Sequence, residues 1–445
     1  MIFFLFNRHK KEDVLCFIVY VFLFFFLLAY HGPDLPAGPF CGSDLTGGQC
    51  CRNRQDGCSY PILNTICYCD EFCKDGRKHD DCCPDYETVC LGEKPPQDII
   101  KPCMYNGQIY LPNESREHGC NTCVCKLDAM NTTSWTCSTD ECMVSDNVAS
   151  NVNSQRAGWR AYSYPQFQNR KLKDGVIYKL GTLPLDELTK RMNAMSPANM
   201  DKMEDRASFD ARREWPEYIT PVRDQGWCGS DWAMSLAAIA SDRFAILSKG
   251  AENQELSPQL FLSCISRFSR GCQGGHIDGA WNFARNFGMV DEKCFPYKAE
   301  KTRCPFKKNR LLRDDGCEPS VKERTERYRV SPLGRLKGER AIMADIMLSG
   351  PLQAIMTVYQ DFFHYRDGVY KHLRTGDQRI SGLHSVRVVG WGEDRGEKYW
   401  IVANSWGPEW GENGYFRILR GSNESGIEDF IVTVLPEVSE AYQRK

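Results

Sequence analysis

The sequence predicts an α+β protein in which small disulfide-rich modules precede a larger domain with a helical half and a strand-rich half. Three observations carry this. Of 23 cysteines, most crowd between Cys41 and Cys142. After Asp231, the residues Trp232, Ala233, Leu236, Ala237, Ile239, Ala240, Phe244 and Leu247 recur at helical period and close at Lys249-Gly250. Further on, strand-like runs appear at 352–358, 368–370, 385–391, 399–404 and 414–419.

A chain of 445 residues has room for two or three domains. Its net charge of −2 generates no field for nucleic acid or acidic substrates, so no nucleic-acid partner is expected. Dense cysteine marks either a metal array in a reducing compartment or a disulfide framework outside it. The N-terminus chooses. An apolar run at 15–30 follows Arg8, His9, Lys10 and Lys11, which suits a secretory signal over residues 1–30. The alternative is a signal-anchor leaving a type II membrane protein, although the run is shorter than the roughly 20 residues a spanning helix needs. Either way the remainder faces an oxidising lumen, and the expected location is extracellular. Setting aside Cys16 leaves an even number of cysteines, and sequons at Asn113, Asn131 and Asn423 agree with export.

Residues 41–91 are too cysteine-rich to rest on a hydrophobic core, so covalent links must replace burial. The order Cys51, Cys58, Cys67-Tyr68-Cys69-Asp70, Cys73, Asp81-Cys82-Cys83-Pro84-Asp85-Tyr86, Cys90 resembles a somatomedin B domain. A zinc knuckle would need paired Cys-x2-Cys hooks and histidines, and the stretch offers only His79. No metal or cofactor is therefore expected. Residues 101–143, with Cys120-Asn121-Thr122-Cys123-Val124-Cys125, resemble part of a von Willebrand factor type C module. Both resemblances imply binding of other extracellular proteins.

Residues 144–206 are a linker without cysteine that carries Trp159, Tyr162, Tyr164 and Phe167 and a helix-like stretch at 185–195. Two readings stand: a propeptide relic that runs through a cleft, or a spacer with a docking helix.

From Ala207 to the end, motifs follow in a fixed order: Ala207-Ser208-Phe209-Asp210, Gln225-Gly226-Trp227-Cys228-Gly229-Ser230-Asp231-Trp232, Gly271-Cys272-Gln273-Gly274-Gly275, Leu383-His384-Ser385 and Asn404-Ser405-Trp406-Gly407. They resemble cathepsin B, of the papain family of cysteine peptidases. The resemblance implies a two-lobed domain with a helical left lobe and an antiparallel β-barrel right lobe. It also implies a Cys228–Cys272 disulfide, Gln225 as oxyanion-hole donor, His384 as catalytic histidine and Asn404 as the residue orienting it. For Cys264, Cys294, Cys304 and Cys317 three pairings remain open. The family's nucleophilic cysteine is here Asp231.

A papain-type site needs a thiolate at a helix N-terminus beside an imidazolium. A carboxylate there is charged but weakly nucleophilic toward an amide, and any adduct collapses backward because the carboxylate leaves more readily than an amine. Its charge also opposes the developing oxyanion. Losing such a nucleophile costs on the order of a million-fold. Ser230 lies one residue early and Cys228 is expected in a disulfide, so neither substitutes.

The cathepsin B loop that grips a substrate C-terminus with histidines has none here between Cys294 and Tyr328. It carries Lys298, Lys301, Arg303, Lys307, Lys308, Arg310 and Arg313, read as a solvated loop or as a docking patch for sulfated glycans.

This arrangement of modules resembles the tubulointerstitial nephritis antigen family, whose members typically carry serine at the nucleophile position. The resemblance implies a secreted glycoprotein of the extracellular matrix or basement membrane that binds matrix proteins and cell-surface receptors. Two alternatives remain: a carrier holding a ligand in the inactive cleft, and a peptidase with unusual chemistry.

Overall fold

The computed structural model describes residues 38–42, 50–62, 65–74, 81–92, 102–128, 132–197, 200, 206–307, 316–318, 320–321, 324–373 and 380–439. The apolar run at 15–30 lies outside them. Among the described residues no helix is long and apolar enough to cross a membrane. The chain divides into two compact units, Met1–Thr139 and Asp140–Lys445.

In the first unit, cystine takes the place of a core. Ser59–Ile62 and Thr65–Tyr68 form a hairpin, and Tyr86–Cys90 is a single short helix. Around them Cys41–Cys69, Cys50–Cys90, Cys51–Cys58, Cys67–Cys83 and Cys73–Cys82 are bonded. The apolar cluster here is small, with Phe40, Tyr60, Ile62 and Tyr86 packed among half-cystines. The aspartates in the two motifs tie down backbone donors. Asp70 accepts the N–H groups of Gln55 and Phe72, and Asp85 accepts that of Cys41. Further on, Ser115–His118, Asn121–Leu127 and Thr133–Cys137 make a three-stranded antiparallel sheet, with Cys103–Cys125 and Cys123–Cys137 bonded.

The second unit is built on one long buried helix and a nine-stranded sheet. Among the described residues its helices are α1 (Asp146–Ser154), α2 (Leu172–Lys179), α3 (Glu187–Lys190), α4 (Asp231–Leu247), α5 (Pro258–Cys264), α6 (Ile277–Asn286) and α7 (Glu339–Ser349), with one further helical turn at Ala211–Glu214. Its strands are β1 (Trp159–Ala161), β2 (Phe209–Asp210), β3 (Gly334–Leu336), β4 (Leu352–Tyr359), β5 (Tyr365–Tyr370), β6 (Ile380–Asp394), β7 (Glu397–Ala403), β8 (Tyr415–Leu419) and β9 (Ile431–Thr433). They run in the order β3-β9-β4-β6-β7-β8-β5-β1, with β2 pairing β6. All pairs are antiparallel except β5 with β8. This is the papain-like α+β arrangement, a helical lobe against an antiparallel strand lobe.

Helix α4 is predominantly apolar and is buried along nearly its whole length. Its polar residues have partners. Arg243 donates to the carbonyls of Pro351, Gly350 and Val434 and pairs with Asp345, while Asp242 pairs with Arg387 of β6 at 2.6 Å. These bonds fasten the helix to the strand lobe.

Two expectations change. The stretch at 185–195 is helical only over Glu187–Lys190. Asp186 caps its start, but Leu188 is 83% exposed, and only Leu185 and Met192, on either side of the turn, pack against the core. Beyond it, Arg335 draws the carbonyls of Lys190 and Met192 outward and Ala194 forms a bridge to Arg335. The segment after Asp140 is also more than a spacer. Its strand β1 extends the sheet by pairing with β5, and Trp159, Tyr164 and Phe167 are buried among Phe363, Tyr365, Trp406 and Trp410. Each such ring removes roughly 150–250 Å² from water.

Candidate functional site

The site forms where the N-terminus of α4 meets β6 and the end of β7. Before the helix, Cys228 is bonded to Cys272, and the Gly229 N–H donates to the Cys272 carbonyl at 2.8 Å. Asp231 is therefore the first residue of α4, where the helix dipole favours an anion. Adjacent strands bring His384 of β6 and Asn404 together: His384 Nε2 lies 2.7 Å from Asn404 Oδ1, and the Trp406 ring is 5.1 Å from the imidazole. On its other side, His384 Nδ1 stands 3.2 Å from Asp231 Oδ2, at ion-pair distance but without hydrogen-bond geometry. Both side chains are wholly buried.

The cleft is filled by the chain itself. The last two residues of α2 and the segment that leaves it, together 178–183, form a strap between the lobes. Thr182 makes a parallel bridge to Gly275 on one side and an antiparallel bridge to Leu383 on the other. The Gly275 N–H donates to the Gly181 carbonyl at 2.9 Å, and the Leu183 N–H donates to the Gly275 carbonyl at 3.0 Å.

The strap bonds to Gln225, Asp231 and Trp406 of the site and leaves the His384–Asn404 pair to itself. Gln225 Nε2 donates to the Tyr178 carbonyl at 3.1 Å and to the Cys228 carbonyl at 2.8 Å, while its Oε1 accepts from Ser405 Oγ. Trp406 Nε1 donates to the Lys179 carbonyl. The Gly181 N–H donates to Asp231 Oδ1 at 2.6 Å. Thr182 Oγ1 hydrogen-bonds Asp231 Oδ2 and lies 2.7 Å from Ser385 Oγ, and the Ser385 N–H donates to the same Oδ2 at 2.8 Å. Only glycine fits at 181, because a Cβ would stand 1.9 Å from the Gly229 carbonyl oxygen. Lys179 is buried with the strap, its amine over the faces of Trp227 and Phe167 and 3.5 Å from Asp224. Burial holds its pKa below the usual lysine range.

The residues marked in the sequence are thus brought together: Gln225, Asp231, His384 and Asn404 surround one point. Ser230 is turned away, its hydroxyl directed to Tyr297 Oη and the Cys228 carbonyl. Cys264 is bonded to Cys304 and Cys294 to Cys317. Asn113 and Asn423 are exposed, and Asn131 lies outside the described residues. Lys298, Lys301, Arg303 and Lys307 carry the described part of the basic loop, whereas Lys308, Arg310 and Arg313 lie outside the described residues. The two groups of metal-type side chains among the described residues, Cys41/Cys69/Cys83 and Asp291/Cys294/Cys317, contain cysteines already in disulfides and offer no thiolate.

Sequence reasoning missed Tyr178, Gly181, Thr182 and Ser385. One of the two readings of 144–206, a segment that runs through a cleft, pointed to this region without naming residues; a glycine and a small hydroxyl residue between Leu180 and Leu183 were a further signal, a composition suited to a strand passing close to another backbone.

The family model for papain family cysteine proteases matches residues 206–435. Human tubulointerstitial nephritis antigen-like is 38% identical over 86% of this chain and 86% of its own length. Human tubulointerstitial nephritis antigen is 39% identical over 86% of this chain and 85% of its own. Among solved structures, a procathepsin B from Trypanosoma congolense aligns with a TM-score of 0.58 at 28% identity, covering 66% of this chain and 99% of that one.

Proposed function

Because the chain belongs to the tubulointerstitial nephritis antigen family and carries a papain-family domain, we propose that it is a secreted, non-catalytic glycoprotein of the extracellular matrix. Its partners in this reading are matrix proteins and cell-surface receptors, with sulfated glycans as further ligands of the basic loop.

One observation carries the non-catalytic part: the residue at the head of α4, facing His384, is a carboxylate whose oxygens are already occupied by Gly181, Thr182 and Ser385. It has no thiol to attack a peptide. The strap lies where a substrate would bind, and Gln225, the expected oxyanion donor, already donates to Tyr178. The same filling argues against a carrier role for the cleft. The disulfide framework and the exposed sequons at Asn113 and Asn423 support passage through an oxidising, glycosylating compartment.

Purified full-length chain is to be incubated with fluorogenic dipeptide substrates and a thiol-reactive inhibitor probe. Neither turnover nor labelling is expected, and turnover abolished by His384→Ala would refute the non-catalytic reading. Capture of matrix proteins on immobilised full-length chain, compared with a form lacking residues 41–142, tests adhesion. Equal, background-level capture by both would refute that half.

A further inference from the structure

We propose that Asp231 is a latch: the carboxylate at the nucleophile position adds its own ties to the strap that the backbone already seats in the cleft, so that the substitution that removes the nucleophile also tightens the cleft's closure.

Asp231 is fully buried, and a buried carboxylate is tolerated only when its oxygens are hydrogen-bonded or paired. The papain-like domain supplies the Ser385 N–H and the nearby His384 ring. The strap supplies the rest: the Gly181 N–H on Oδ1 and the Thr182 hydroxyl on Oδ2. With the strap out, Oδ1 would lose its hydrogen-bond donor from the protein. Bonds to an ionised acceptor are the stronger kind, and a thiol or hydroxyl at this position would be a poorer acceptor for the same two donors. The glycine at 181 is what lets the backbone come close enough.

The latch rests on this geometry alone and is independent of the matrix reading. Hydrogen exchange on the full chain tests it, read by mass spectrometry on peptides covering 178–184 and, as a control, 236–246 of α4. In Asp231→Ala, exchange at Gly181 and Leu183 is expected to accelerate by about tenfold or more, as both of the carboxylate's bonds to the strap are lost. Thr182→Val, which keeps the carboxylate, is expected to accelerate it less. Combining the two is expected to give less than the product of the single effects, because both remove parts of one interaction. Unchanged strap exchange in Asp231→Ala with α4 still protected overturns the proposal. If Asp231→Ala also loosens α4, Thr182→Val decides: a faster strap over a protected α4 supports the latch, and an unchanged strap overturns it.

Discussion

The side-chain amide of Gln225 donates to the backbone carbonyl of Tyr178 at 3.1 Å, so the group expected to stabilise a reaction intermediate is bound to the protein's own chain. Nucleophile loss and donor engagement are therefore two separate barriers to peptide hydrolysis.

Restoring the thiol alone is accordingly expected to be insufficient. In Asp231→Cys the strap keeps its ties from Gln225 to Tyr178 and from Gly275 to Gly181. Loss of one oxyanion donor costs on the order of a hundredfold or more. Adding Gly181→Ala, whose methyl group cannot fit against Gly229, should expel the strap. We expect kcat/KM on a dipeptide substrate to be about a hundredfold higher in the double variant than in Asp231→Cys, the size of one recovered oxyanion donor. Equal values would show that the strap does not limit access.

The segment ahead of the strap should respond to acid through His364. Its ring is buried between two parts of that segment: Ser145 N–H donates to Nε2, and Nδ1 faces the Tyr162 carbonyl. Burial pushes its pKa down to about 4, against smaller opposing effects from the Tyr162 carbonyl, Asp361 and Asp146. The unfolded chain binds a proton near 6.5 and the folded chain does not, so stability is full above 6.5 and is lost as pH falls toward 4. At about 1.4 kcal/mol per unit the loss reaches about 3 kcal/mol. Urea unfolding at about pH 7, 5 and 4 should show this loss, and His364→Gln should flatten that share of it. Parallel pH profiles would contradict the assignment.

Reduction should separate the two units. The first has a small apolar cluster woven among half-cystines, and each native bridge in so small a fold contributes about 2–5 kcal/mol. The second rests on two extensive apolar clusters that include Trp232, Trp281, Trp391, Trp400, Trp406 and Trp410. Under a phosphine reductant without denaturant, hydrogen exchange should reach the unfolded rate across 50–90 while peptides of α4 and β6 stay protected. Protection persisting at 50–90 after full reduction would contradict this.

Much of the site was legible from the primary structure because its parts are side chains with distinctive chemistry in short motifs. Asp231 stands close to Cys228 and Gly229, His384 beside Ser385, and Asn404 close to Trp406, so each could be located before any fold was known. The strand runs were legible for a similar reason, since alternation and β-branched residues mark them locally. Strand ends were less so. β6 extends over Ile380–Asp394, well beyond the run at 385–391, because pairing with both β4 and β7 sustains it.

What the amino-acid sequence determined by itself was the family, the two-lobed fold and the absence of a thiol facing His384. Only the tertiary structure decided that the cleft is filled, and by which residues. The strap is held chiefly through main-chain groups, the N–H and carbonyl of Gly181 and the carbonyls of Tyr178 and Lys179. Every residue but proline carries those same groups, so they leave almost no mark in a sequence, and their partners lie 47 to 227 residues away along the chain.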